Sequence, residues 1–67
     1  MFTVKNSNGY VMTVDTKLVG RAYTTYENTK DIDYNANAEA YNEDGELVAS
    51  KIGNGMWNTR NPLKVIG

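Results

Sequence analysis

The chain has no cysteine, no histidine and a single proline in 67 residues. No disulfide or thiolate metal site can form, and the absence of thiols fits a reducing compartment. The commonest general base and the most reactive nucleophile are both missing. The remaining Lys, Tyr, Ser and carboxylates show no base–nucleophile spacing, so neither an enzyme nor a cofactor is expected. No apolar run approaches the roughly 20 residues of a membrane-spanning helix. The N-terminus lacks the basic-then-apolar pattern of a signal peptide, and no Asn-X-Ser/Thr sequon occurs. A soluble, cytoplasmic protein with no membrane partner is expected.

Residues 1–67 are read as one small domain. A chain this short buries only about 60% of its unfolded surface, so its core is small and a homo-oligomer would supplement it. Nine Asn, seven Thr, six Gly and five Tyr favour strands and turns over helices. No stretch reads as an amphipathic helix of ordinary length.

The pattern is clearest from Ile32 to Ile52. Ile32, Tyr34, Ala36, Ala38 and Ala40 alternate with Asp33, Asn35, Asn37 and Glu39, the period of a half-buried strand. Asn42-Glu43-Asp44-Gly45 has the residues of a type I turn closed by a glycine bulge. That turn sets Asn42 opposite Glu46, Tyr41 opposite Leu47, Ala40 opposite Val48 and Ala36 opposite Ile52. Val48 and Ile52 then join the alanines on one apolar face. The face is shallow, and Trp57 or tyrosines of another strand are needed to fill the space above it.

Asn6-Ser7-Asn8-Gly9 repeats this turn. It predicts a hairpin with Phe2 opposite Val14, Thr3 opposite Thr13, Val4 opposite Met12 and Lys5 opposite Val11. Lys17 to Tyr26 is read as a third strand, either continuous with residues 10–14 or separated from them by a turn at 15–17. Gly20 would mark a bulge or bend. Glu27 to Asp31 is a polar loop, Gly53-Asn54-Gly55 a turn, and Met56 to Asn61 irregular or a single helical turn. Leu63 to Ile66, after Pro62, would form an edge strand that favours self-association.

Charge is unevenly placed. Residues 31–46 hold six acids and no base. Asp33, Glu39, Glu43, Asp44 and Glu46 are the candidate partner-binding residues, offering a negative hairpin to a basic protein surface. Asp31, Asp33, Asn35, Asn37 and Glu39 have the oxygen spacing of a calcium loop. Ala36 and Asn42 stand where such a loop needs Gly and a bidentate Glu, so no metal is expected.

Lys17, Arg21 and Tyr23 share one side of the expected third strand, with Tyr10, Lys5 and Arg60 as neighbours. Small barrels bind single-stranded nucleic acid with such sets, but a pI near 5.1 opposes phosphate binding. Trp57 is read as core in preference to an exposed partner anchor. Lys17, Arg21, Tyr23 and Trp57 form the alternative binding face.

The expected fold is all-β: a small antiparallel β-barrel or curled sheet of five to six short strands. The expected function is a non-enzymatic protein-binding module. A small accessory or inhibitor protein, such as a phage encodes, would dock its acidic hairpin on a basic partner. The alternatives are a single-stranded nucleic-acid-binding barrel and a self-associating structural subunit.

Overall fold

Two asparagines set the sheet. The computed structural model describes residues 1–59 of the chain. β1 (Phe2–Asn6) and β2 (Val11–Val14) pair antiparallel. All four expected pairs are formed: Phe2–Val14, Thr3–Thr13, Val4–Met12 and Lys5–Val11. Asn6 closes the turn, its Oδ1 accepting the N–H groups of Asn8 and Tyr10, and Gly9 supplies the left-handed position at φ 90°.

β3 (Ala38–Tyr41) and β4 (Leu47–Lys51) form the second hairpin. The bulged turn is formed as read: Asn42 N–H donates to Glu46 O, Gly45 N–H donates to Asn42 O, and Gly45 has φ 81°. Tyr41 faces Leu47 as expected. Beyond that pair the expected register fails. A second bulge makes Val48 an extra residue, so that Ala40 faces Ala49, Glu39 faces Ser50 and Ala38 faces Lys51. Ala40 is therefore not paired with Val48, nor Ala36 with Ile52. The extra residue turns Val48 and Ala49 together toward the core and leaves Ile52 81% exposed.

The largest correction concerns residues 17–26. Val19–Glu27 is a helix, α1, not a third strand. Val19, Ala22, Tyr23 and Tyr26 recur at i, i+3, i+4 and i+7, and all four belong to or pack on the core. Val, Gly, Thr and Tyr are weak helix formers, so local propensity pointed the wrong way and tertiary packing decided. Topology explains why a crossover is required. The strand order is β2-β1-β3-β4-β5, with β5 at Asn58–Thr59. β2 and β3 flank β1, and both run antiparallel to it, so they are parallel to each other. A parallel step needs a crossover, and α1 supplies it.

Strand alternation also fails before β3. Residues 32–37 are turn and irregular structure, although Ala36 remains buried and Ile32 packs on the core. Among the described residues the fold is mostly sheet, five antiparallel strands with one short helix. Over the described residues the sheet is open, with β2 and β5 at its edges, and not closed into a barrel, which fits the curled-sheet expectation. Leu63 to Ile66 and Arg60 lie outside the described residues.

α1 covers one sheet face. Its Ala22 and Tyr26 meet Val4, Ala38, Ala40 and Ala49, all buried. The alanines make a shallow bed that the Tyr26 ring fills, its hydroxyl accepting from Asn6 Nδ2 at 3.1 Å. Trp57 is half-buried beside the core: it stacks on Tyr23, meets Tyr26 edge-on, and donates from Nε1 to Glu27.

Candidate functional site

The acidic block is divided by the fold. Because β1 and β3 are antiparallel, the β1–β2 turn and the β3–β4 turn lie at opposite ends of the sheet. Asp33 is at the first end, Glu39 in the middle, and Glu43, Asp44 and Glu46 at the second.

Asp33 fastens a loop. Its Oδ2 accepts from Asn8 Nδ2 and its Oδ1 from the Asn35 N–H, both at 2.9 Å. These two donors, in that order, hold its carboxyl below the usual carboxylate range; desolvation opposes them, and attraction to Lys51 adds the smallest lowering. Asp31, at φ 66°, turns the chain before it. Asp31, Asp33, Asn35 and Asn37 of the calcium-like spacing thus lie in an irregular loop, and Glu39 lies in β3. Among the described residues no group of three or more His, Cys, Asp or Glu is placed to hold a metal ion.

Glu39 belongs to the sheet face that α1 leaves uncovered. It stands opposite Lys5 on β1 and Ser50 on β4. Its Oε1 accepts the Tyr41 hydroxyl at 2.7 Å, and Lys5 Nζ lies 5.3 Å from the Tyr41 ring centroid. The Glu39 carboxylate holds the Tyr41 phenol protonated and raises its pKa, with small contributions from desolvation and from the Glu39 charge. Tyr41 therefore joins the other two, donating its hydroxyl to Glu39 and lying beneath Lys5. This trio was missed from sequence because neither hairpin reveals that β1 and β3 are neighbours.

Glu43, Asp44 and Glu46 are all exposed on the β3–β4 turn. Asn42 makes the turn rigid: its Oδ1 accepts the N–H groups of Asp44 and Glu46, and its Nδ2 donates to Glu46 Oε1, each at 2.9 Å. Among the described residues no Lys or Arg makes an ion pair with these carboxylates. The terminal ammonium of Met1 lies 3.9 Å from Glu43 Oε1.

The alternative face is dispersed. Arg21 and Tyr23, two residues apart on a helix, point to different sides. Arg21 is exposed, whereas Tyr23 stacks on Trp57 at 4.8 Å between centroids. Lys17 precedes the helix. These four residues do not form one surface with stacking rings and free cations.

Lys51, which the expected register would have turned outward, is 2% exposed beneath the sheet. Its ammonium donates to Tyr34 O and Gly53 O, both at 2.7 Å. It bridges the loop before β3 to the turn after β4. No helix among the described residues is long and apolar enough to cross a membrane. No protein-family model, curated protein or solved structure gives a significant match to this chain.

Proposed function

We propose that this chain is a non-enzymatic protein-binding module that docks its β3–β4 turn on a basic surface of another protein. One observation carries the reading: Glu43, Asp44 and Glu46 are exposed together on a turn that Asn42 holds in one conformation. Three carboxylates on one fixed turn repel one another at some cost in stability, and their field steers a cationic partner. A preformed turn loses little conformational entropy on binding. Asp33 and Glu39 have a lesser part, since Asn8 and Tyr41 already engage them. A small accessory or inhibitor protein that acts by covering a positive surface fits this description.

The test is a comparative capture. Wild-type chain and a Glu43→Lys, Asp44→Lys, Glu46→Lys variant are immobilised side by side against host extract. A partner held by the wild type, lost with the variant and released by moderate salt supports the reading. Equal retention by both baits removes the turn from the binding surface.

A further inference from the structure

The outer edge of β2 has no strand beside it among the described residues. Its hydrogen-bonding groups can be assigned. Asn6 N–H donates to Tyr10 O and Gly9 N–H to Asn6 O, so Asn6 bonds toward β2. Alternation makes Val4–Met12 the next bonded pair and directs the N–H and C=O of Val11 and Thr13 away from β1. The run Tyr10 to Val14 carries no charge, no proline and no bulge, three of the devices that blunt an edge; its shortness, four residues, limits the pairing to the Val11 and Thr13 groups. Val11 is 55% exposed and Tyr10 38%.

We infer that β2 is a homodimer edge, pairing antiparallel with β2 of a second copy about a two-fold axis at Met12. The occupant follows from the strand's self-complementarity. With Met12 opposite Met12, Val11 lies opposite Thr13 of the other copy, and each of these residues gives and receives one backbone bond. On the helix-covered side, Tyr10 meets Val14 and Met12 meets Met12, extending an apolar row in which Met12 and Val14 already pack on the core. Asp15 then lies opposite Gly9, so no like charges are opposed. Sliding the pair one way sets Val11 against Asp15, a carboxylate beside an apolar side chain. Sliding it the other way sets Thr13 against Gly9 in the turn. The two-fold axis stands perpendicular to the sheet, so both α1 helices lie on one face and the two sheets become one. This surface is distinct from the acidic turn, and either can fail without the other.

The absence of cysteine makes the test clean. Facing residues at a non-bonded antiparallel site are close enough for a disulfide. Met12→Cys in the full chain should oxidise to a covalent dimer at least tenfold faster than Thr13→Cys. Sedimentation of the wild type should show a concentration-dependent rise from 7.5 kDa toward twice that mass. Thr13→Pro deletes an outward N–H that β1 does not use, and it should stay monomeric with unchanged circular dichroism. Val11→Lys tests the same edge if the proline variant does not fold. A wild type that remains monomeric at millimolar concentration, faster cross-linking of Thr13→Cys, or folded edge variants that associate like the wild type would each overturn the pairing.

Discussion

Asn6 and Asn42 hold equivalent positions in two turns at opposite ends of the sheet. Each Oδ1 accepts two backbone N–H groups, from Asn8 and Tyr10 in one turn and from Asp44 and Glu46 in the other. Their Nδ2 groups diverge: Asn6 donates to the buried Tyr26 hydroxyl, Asn42 to the exposed Glu46 carboxylate. One turn is tied to the core and the other to the acidic tip.

That difference orders two substitutions. Asn42→Ala should cost about 1–2 kcal/mol, and Asn6→Ala about 2–3 kcal/mol, because the latter also removes the partner of a buried hydroxyl. In a domain of this size each kcal/mol lowers Tm by roughly 4–8 °C, so thermal melts resolve them. Equal losses would mean that the Tyr26 hydroxyl finds another partner.

Lys51 acts as an internal fastener. Lys51→Met keeps the apolar stem but leaves Tyr34 O and Gly53 O without their donor. A loss of about 2–4 kcal/mol is expected, a large share of what so small a domain has. Lys51→Glu sets a carboxylate against two carbonyl oxygens and should prevent folding. Urea melts and amide spectra check both. A Met variant as stable as the wild type would show that the bridge is dispensable.

Stability should change at both ends of the pH scale for opposite reasons. Asp33 is held below its ordinary range, so its contribution is present above the unfolded value of about 3.9 and is lost as pH falls through the folded value. Tyr41 is held above its ordinary range, so its contribution is present below about pH 10 and is lost as pH rises through the folded value. Asp33→Asn should flatten the acid limb of a urea-midpoint profile, and Tyr41→Phe the alkaline limb. Unchanged limbs would assign the pH response to other groups.

Much of this was legible, and the failures share a cause. Both turns were readable because Asn at the first position and Gly at the fourth are locally sufficient, and the first hairpin followed in full. The bulge at Val48 was not readable, because a tertiary demand, Lys51 reaching Tyr34 O and Gly53 O, accompanies it. The helix was hidden by its composition: Thr24, Thr25, Tyr23 and Val19 favour strands, and two hydroxyls bond back to the chain, Thr25 to Arg21 O and Thr29 to Thr25 O. Its spacing carried the signal, since Val19, Ala22, Tyr23 and Tyr26 fit a helical stripe better than an alternating strand. Of the candidate site, the turn carboxylates were legible, whereas the engagement of Asp33 depended on a long-range neighbour, Asn8, and the placing of Lys5 over Tyr41, which holds Glu39, on the unread pairing of β1 with β3.

Charge reversal at the tip should separate folding from binding. Glu43, Asp44 and Glu46 bury nothing, and the turn is set by the Asn42 side chain and Gly45, which the substitutions leave in place. The Glu46 side chain gives up a hydrogen bond and Glu43 its ion pair with the Met1 ammonium, both at exposed sites where such contacts are worth little. The triple Lys variant should therefore keep its circular dichroism and lie within about 1 kcal/mol of the wild type. Relief of repulsion among three carboxylates is replaced by repulsion among three ammonium groups, so the net effect of self-repulsion is small. Binding should respond differently: lost in the variant, and weakened several-fold in the wild type between low and physiological salt, as the Debye length shortens to about 8 Å. Single reversals at Asp33 or Glu39 should weaken binding less than reversal at Asp44. If Glu39→Lys proves the most damaging, the contact surface is the open sheet face around Lys5 and Tyr41, and the turn is only its rim.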